Sequence, residues 1–233
     1  MVTMRKDVMQ DVYSGILAYV EDTRIYRKEM TKKLSNALKR KQKSLYYTKQ
    51  ETKFIQKKEF ERSNQEKTIT KSFKEFQCVG YIILHDKFGF GQKRLARLEM
   101  TVNTYLNSAA DGDKNMSGSA MAYVLKEKYG IDVREEVNKV PQRQLMVLYS
   151  QKGKVVQSAA YKIASASMFN YLALTMMALK TILKMSVNQL HEFADKFIDY
   201  IDTLSNFSQY ALTIPMISES LEEECKFKCD LEV

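Results

Sequence analysis

Residues 79–106 read VGYIILHDKFGFGQKRLARLEMTVNTYL. Two glycines, Gly89 and Gly91, interrupt a stretch that is otherwise rich in large apolar residues. Beyond them, apolar residues recur every three or four positions, at Leu95, Leu98, Val102, Tyr105 and Leu106. That spacing is typical of an amphipathic helix, and paired glycines break helices. The stretch therefore predicts a helix, a tight break, and a second helix that begins at Gln92.

The rest of the chain continues the helical pattern. Only eight of the 233 residues are glycine and two are proline, which is few breakers for so long a chain. Strand-like alternation of apolar and polar residues is not found in the sequence. The longest strongly apolar run, residues 168–179, is shorter than the roughly 20 residues of a membrane span, so it predicts a buried helix. We predict an all-α fold, a helical bundle with a long basic N-terminal helical arm.

Charge is concentrated in one part of the chain. Between Arg24 and Arg62 there are fourteen Lys or Arg and four Glu, a local net charge of +10, whereas residues 216–233 carry a net charge of −4. Apolar positions are sparse in the basic stretch, which favours a protruding helical arm over a core element. The alternative is an arm that orders only with a partner. We predict an amphipathic helix and basic arm at 1–75, and a helical core domain with an acidic C-terminal tail at 76–233.

Caps and breakers predict where single helices begin and end. We expect Gly130 to end one helix as a left-handed cap. Pro141 is expected at the first position of the next helix, with Asn138 as its cap. A long helix at about residues 154–185 should carry most of the core.

The second half of the chain predicts two more helices. Ser186 or Asn188 should begin one, and Ser218 a short acidic last helix. Across the whole chain, the residues that we predict to be core are Leu95, Leu98, Val102, Leu172, Leu179, Leu190, Phe193 and Phe197.

A shift of 95 residues aligns two helix–break–helix segments, 84–106 and 179–201. Three of the seven aligned pairs are identities, namely Leu84 with Leu179, Leu95 with Leu190 and Tyr105 with Tyr200. Any two amphipathic helices align in phase in this way. The sequence therefore leaves open whether the segments are a true internal repeat.

Residues that would support catalysis are scarce. A nucleophile needs a base beside it, and the only two histidines, His85 and His191, lie in no recognisable motif. The break at Gly89 lacks the preceding strand and the third glycine of a phosphate-binding loop. We expect no enzymatic activity and no cofactor.

Two segments superficially resemble metal sites. Residues 111–115 place side-chain oxygens as a calcium loop does, but Met116 stands where the loop needs glycine and Ala122 where it needs glutamate, so they predict a surface turn. Cys225 and Cys229, four apart, would share a helix face as half of a zinc site. Free thiols are the preferred interpretation, and no metal site is predicted.

The cysteines and the N-terminus also indicate a compartment. Three cysteines are too few for a disulfide framework, and residues 1–20 lack the apolar core of a signal peptide. We predict a soluble, cytoplasmic protein with no membrane partner.

Basic residues beside aromatic ones suggest nucleic-acid binding, because lysines neutralise phosphates and aromatic rings stack on bases. In the arm, the candidate binding residues are Lys32, Lys33, Lys39, Arg40, Lys41, Lys43, Tyr46 and Tyr47. A second group, Lys93, Arg94 and Arg97, should project from the first turns of the helix after the glycine break. For both groups, the alternative is a solvated helix face without a partner.

Residues 81–95, YIILHDKFGFGQKRL, resemble a motif in small helical proteins encoded by phages and mobile elements of Firmicutes. In those proteins a helix is followed by Phe-Gly-Phe-Gly, two variable residues, Arg-Leu and a second helix. A short segment ending in Tyr-Gly-Ile often follows, similar to residues 125–131 here. The likeness covers residues 79–132, so the arm and the second half lie outside it. The resemblance implies an origin in a bacterial host cell more than a mechanism.

Three hypotheses for function follow. The first is a non-enzymatic phage or mobile-element accessory protein that binds nucleic acid or a host nucleoprotein complex through the basic surface. The second is a protein-binding inhibitor of a bacterial defence nuclease, of the anti-CRISPR type. The third is a structural or assembly protein that forms a homo-oligomer.

Overall fold

The computed structural model describes the backbone of residues 49–149 and 157–231, and side chains from residue 58 onward. These residues form a helical bundle without a β-strand, which confirms the predicted all-α fold. The helices are α1 Lys49–Phe88, α2 Gln92–Ala110, α3 Gly118–Tyr129, α4 Val133–Asn138, α5 Gln142–Tyr149, α6 Gln157–Thr181, α7 Val187–Ser205, α8 Phe207–Tyr210 and α9 Ile214–Cys225. None of the described helices combines the length and the apolar character needed to cross a bilayer.

Helix α1 has an exposed first part and a buried second part. Its 40 residues span roughly 60 Å. Side chains at 58–63 are all exposed, including Phe60, whereas burial begins at Thr68 and continues through Ile69 and Phe73. The boundary predicted between residues 75 and 76 lies within this unbroken helix. Residues 1–48, with most of the predicted arm and the helix predicted near the N-terminus, lie outside the described residues.

Helix α6 is the centre of the bundle. All nine residues from 171 to 179 are buried, so the helix is apolar on every side, as expected for a helix surrounded by others. It packs against α1, α3 and α5. Each of the eight predicted core residues is at most 1% exposed, so the core prediction is confirmed.

Aromatic rings join α1, α6 and α7. Phe197 of α7 lies 5.8 Å from Phe76, 5.5 Å from Tyr171 and 6.2 Å from Phe193, measured between ring centroids. Opposite Tyr171, α1 carries Gly80, where an added Cβ would lie 1.7 Å from the Tyr171 hydroxyl oxygen. Glycine at this position therefore lets α1 approach the Tyr171 ring.

Two predicted helix ends are confirmed. Gly130 adopts a left-handed conformation at the end of α3, with a φ angle of 72°. Ser186 caps α7 in a capping box, in which its side chain accepts from the Gln189 amide and the Gln189 side chain accepts from the Ser186 amide.

Two other predicted helix starts are wrong, those of α5 and α9. Asn138 is the last residue of α4 rather than a cap. Pro141 stands just before the first helical residue, and its carbonyl accepts from the Gln144 amide, so it occupies the cap position itself. Helix α9 begins four residues before Ser218 because the Thr213 side chain caps it. The acidic run after Ser218 had predicted a later start, but the Thr213 cap decides where α9 begins.

Candidate nucleic-acid interface

Two helix corners of the bundle, the one between α1 and α2 and the one between α6 and α7, have the same backbone geometry. Gly89 at the α1–α2 corner and Lys184 at the α6–α7 corner both have a left-handed backbone, with φ angles of 64° and 58°. At each corner the next amide donates to the carbonyl six residues earlier, one residue wider than the bond of a Schellman motif. These bonds join Phe90 to Leu84 at 3.0 Å and Met185 to Leu179 at 3.1 Å. At these two corners, residues that are 95 positions apart therefore occupy equivalent positions in the turn.

Contacts between the two halves are reciprocal. The Tyr105 hydroxyl lies 3.3 Å from Thr181 Oγ1, and the Tyr200 hydroxyl donates to Asp86 Oδ2 at 3.2 Å. Adding 95 to Tyr105 and Asp86 gives Tyr200 and Thr181, so each contact is the counterpart of the other. Such paired contacts are the signature of a twofold relation.

One residue pair lies close to the axis of this relation. Ser72 and Ser167, again 95 apart, meet through their hydroxyl oxygens at 2.9 Å, and both are fully buried. A residue contacts its own equivalent only near a twofold axis. The axis therefore passes between α1 and α6.

The third helices of the two halves, α3 and α9, extend the repeat at an offset of 96. Ser117 caps α3 and Thr213 caps α9 through equivalent bonds. After the left-handed residues Gly130 and Lys226, an amide again donates to the carbonyl six residues back. The two bonds join Ile131 to Leu125 and Phe227 to Leu221. The internal repeat that the sequence left open is thus present in the structure, with one extra residue before α9.

A cleft of about 620 Å³ lies between the two corners. It crosses the pseudo-twofold axis, since eight of its ten lining residues form pairs 95 positions apart. These pairs are Lys87 with Ile182, Phe88 with Leu183, Phe90 with Met185 and Arg94 with Gln189. The remaining two are Arg97 and Lys184.

The cleft is basic. Lys87, Arg94, Arg97 and Lys184 contribute four positive charges, and no acidic residue is among the ten described residues that line it. The two halves of the repeat differ in charge at the cleft, because three of the four cations belong to the first corner. The Arg94 guanidinium carbon lies 5.5 Å from the centroid of the Phe90 ring, a cation–π contact that positions this side chain at the cleft.

The start of α2 adds positive potential to the cleft. A helix N-terminus carries unsatisfied amides and the positive end of the helix dipole. The cap residue of α2, Gly91, contributes no side-chain hydrogen bond, whereas at the other corner the Ser186 side chain accepts from the Gln189 amide of α7. The start of α2 is therefore capped less fully than the start of α7.

The structure places only some of the predicted binding residues at the cleft. Lys93, Arg94 and Arg97 are exposed on the first turns of α2, and Arg94 and Arg97 line the cleft. Lys93 is not among the lining residues. Lys87 and Lys184 also line the cleft but were not predicted from the sequence. The signal for Lys184 is its position 95 residues after Gly89. The eight predicted residues from Lys32 to Tyr47 lie outside the described residues.

The cysteines differ from their predicted arrangement. Cys225 ends α9, and the left-handed Lys226 turns the chain away, so Cys229 does not share a helix face with it. All three cysteines are free thiols. Contact with the Cys78 thiol, together with burial, raises the pKa of Cys229 well above its ordinary value. Cys229 therefore stays protonated and is a poor nucleophile.

Residues 111–115 form an exposed turn, as predicted. Gly112 has a φ angle of 99°, and the Asp113 carboxylate accepts from the Asn115 amide at 3.0 Å. That bond caps a short 3₁₀ turn, Lys114–Met116, which precedes α3. The Asp113 carboxylate, one of the oxygens that resemble a calcium loop, therefore has a local structural role.

Comparisons with known proteins return no match. None of the protein-family descriptions, curated proteins or solved structures searched is similar to this chain.

Proposed function

We propose that this chain is a non-catalytic nucleic-acid-binding protein that holds a phosphate backbone in the cleft across its pseudo-twofold axis. The observation that carries the proposal is the concentration of Lys87, Arg94, Arg97 and Lys184 around one opening without an acidic lining residue. Neutralising several phosphates with lysine and arginine supplies most of the affinity of such complexes.

The spread of the cations favours a polyanion over a single small anion. Arg94 and Arg97 are three residues apart on α2, so they are neighbours on one helix face. Lys184 approaches from the opposite corner, and Lys87 from the end of α1. A chain of phosphates can contact all four positions, whereas one small anion would leave some of them unpaired.

Aromatic groups at the cleft fit the same ligand. Phe88 is half-buried at the first corner and lines the cleft beside the basic side chains. An unpaired base can stack on such a ring, and stacking tolerates any sequence. We therefore expect binding with little sequence preference. Arginine also favours phosphate because its planar guanidinium forms two parallel hydrogen bonds.

The basic arm is proposed to add contacts to the same ligand. Residues between Arg24 and Arg62 carry a net charge of +10. The resemblance to phage and mobile-element proteins covers residues 79–132, and these include the first corner and α3. We propose on that basis an accessory protein of mobile genetic elements, whose target in the cell is a nucleic acid or a nucleoprotein.

The proposal predicts a steep salt dependence. For duplex DNA the logarithm of the affinity falls with the logarithm of salt by about 0.9 per neutralised phosphate. The four cleft cations alone give a slope of about −4, and the six basic candidates in the arm add about −5. Anisotropy of a short labelled duplex, measured between about 50 and 200 mM salt, should therefore give a slope between about −4 and −9.

This titration and two further measurements separate the three hypotheses for function. A flat salt profile, or no change in anisotropy at micromolar protein, would contradict nucleic-acid binding. Capture of a protein target that survives nuclease treatment would favour the inhibitor hypothesis. A molecular mass that rises with protein concentration would favour self-assembly.

A further inference from the structure

A histidine and two carboxylates meet where α9 crosses the end of α1. His85 Nδ1 lies 3.0 Å from the Phe90 carbonyl oxygen, and His85 Nε2 lies 3.1 Å from Glu224 Oε2. A carbonyl can only accept, so Nδ1 carries the hydrogen. A neutral imidazole would then point its Nε2 lone pair at a carboxylate oxygen. A cation, either a proton or a metal ion, is needed between these two atoms.

The other half of the pseudo-symmetric repeat has a permanent cation at this position. Lys180, the counterpart of His85, donates from Nζ to the Met185 carbonyl at 3.1 Å. It also lies 5.1 Å from the ring centroid of Tyr129 in α3. At the α3–α9 offset of 96, the counterpart of Tyr129 is Cys225, the residue after Glu224. Positive charge is favourable at the C-terminal end of a helix. Both corners thus place a nitrogen group at the equivalent carbonyl, that of Phe90 and that of Met185.

A second carboxylate at the first corner favours a metal ion over a proton as the bridging cation. The ligand atoms of His85, Asp86 and Glu224 all lie within 4.8 Å of one another. One proton bridges the His85–Glu224 pair but does not contact the Asp86 carboxylate. A divalent ion balances both carboxylates, and ligands at about 2.0–2.2 Å from one ion can lie 3.1 Å apart.

The groups around the cluster have the arrangement that orients metal ligands. A metal-binding histidine usually donates its second N–H to a carbonyl or carboxylate, and binding carboxylates are themselves hydrogen-bonded. Here His85 donates to the Phe90 carbonyl, and Asp86 accepts from the Tyr200 hydroxyl. We propose that His85, Asp86 and Glu224 bind one divalent transition-metal ion of the zinc class, with water completing its coordination.

Such an ion would join α9 to the α1–α2 corner. Glu224 belongs to the last turn of α9, while His85 and Asp86 lie just before Gly89. The metal would therefore hold the acidic C-terminal helix against the corner that forms one side of the cleft. This proposal does not depend on nucleic-acid binding, and either can fail alone.

Titration of the chelator-treated full-length chain with zinc chloride, followed by calorimetry, tests the site. We expect one zinc ion per chain and a melting temperature that rises with zinc concentration, since zinc binds the folded state. Magnesium should compete poorly because it prefers sites made of oxygen ligands alone. Glu224→Gln should weaken zinc binding more than about 100-fold, since even outer contacts change metal affinity about 10–100-fold. Glu223→Gln, one residue earlier on α9, is the matched control and should bind zinc as the wild type does.

The pseudo-symmetry suggests a more specific variant, His85→Lys, which places at the first corner the residue type that Lys180 provides at the second. The new lysine should keep the bond to the Phe90 carbonyl, so the variant should melt no lower than the metal-free wild type. It should nevertheless bind no zinc. Cys225→Ser should retain binding. The proposal is overturned if Glu224→Gln and His85→Lys bind zinc normally, if Cys225→Ser alone removes it, or if the wild type shows no zinc binding at sub-millimolar concentration.

Discussion

A chain that carries Arg94→Glu, Arg97→Glu and Lys184→Glu should bind duplex DNA about a thousandfold more weakly than the wild type. Hydrogen bonds to charged groups contribute about 1.5–3 kcal/mol each, so the low end for three contacts is about 4.5 kcal/mol. Each 1.4 kcal/mol changes affinity about tenfold. The slope against salt should also become shallower by about 3, one unit for each lost phosphate contact. Anisotropy of a labelled duplex measures both quantities.

A charge-matched variant makes this result specific to the cleft. Lys67→Glu, Lys128→Glu and Lys162→Glu change the net charge equally at three exposed positions that do not line the cleft. This control should lose far less affinity than the cleft variant. Equal loss in both variants would mean that only net charge matters, and the cleft would not be the binding site. Melting temperatures should stay near that of the wild type, because surface changes cost within about 0.5 kcal/mol.

Phe197→Ala should lower the free energy of unfolding by about 3–5 kcal/mol, the usual cost of truncating a buried phenylalanine. Phe197 is fully buried and contacts aromatic rings from α1, α6 and its own helix. The loss is large because domains are stable by only about 5–15 kcal/mol in total. Urea unfolding followed by circular dichroism gives the value.

Phe207→Ala is the matched control, since that ring is 56% exposed on the neighbouring short helix. It should change the free energy of unfolding by no more than about 0.5 kcal/mol. If both variants cost the same small amount, Phe197 does not have the central packing role that the ring contacts assign to it.

Helix positions were largely predictable from the sequence because they depend on local chemistry. The glycine break, the Gly130 cap and the start at Ser186 each follow from backbone preferences of one or two residues. The two wrongly predicted helix starts also depend on the local chemistry of single residues. At Pro141 the choice between cap and first helical position differs by one residue. At Thr213 a single hydroxyl outweighs the acidic pattern that follows it.

The cleft was only partly predictable because its two sides are 95 residues apart in the sequence. Arg94 and Arg97 are visible as bases after a glycine break, but nothing local indicates that Lys184 lies opposite them. Lys184 also takes a left-handed conformation that residue preferences would assign to glycine. Only the repeat relates the two corners, and its sequence trace is weak because most equivalent positions conserve size and burial rather than identity. The contact of His85 with Glu224, 139 residues later, has no sequence signal at all.

The position of bound nucleic acid tests the central claim most directly. Met185 lines the cleft and is 5% exposed, while Met216 is 48% exposed on α9 and is not a lining residue. In methyl NMR of methionine-labelled chain, titration with a short duplex should shift the Met185 resonance in proportion to saturation and leave Met216 nearly unchanged. Saturable binding that moves Met216 but not Met185 would place the nucleic acid elsewhere and contradict the account.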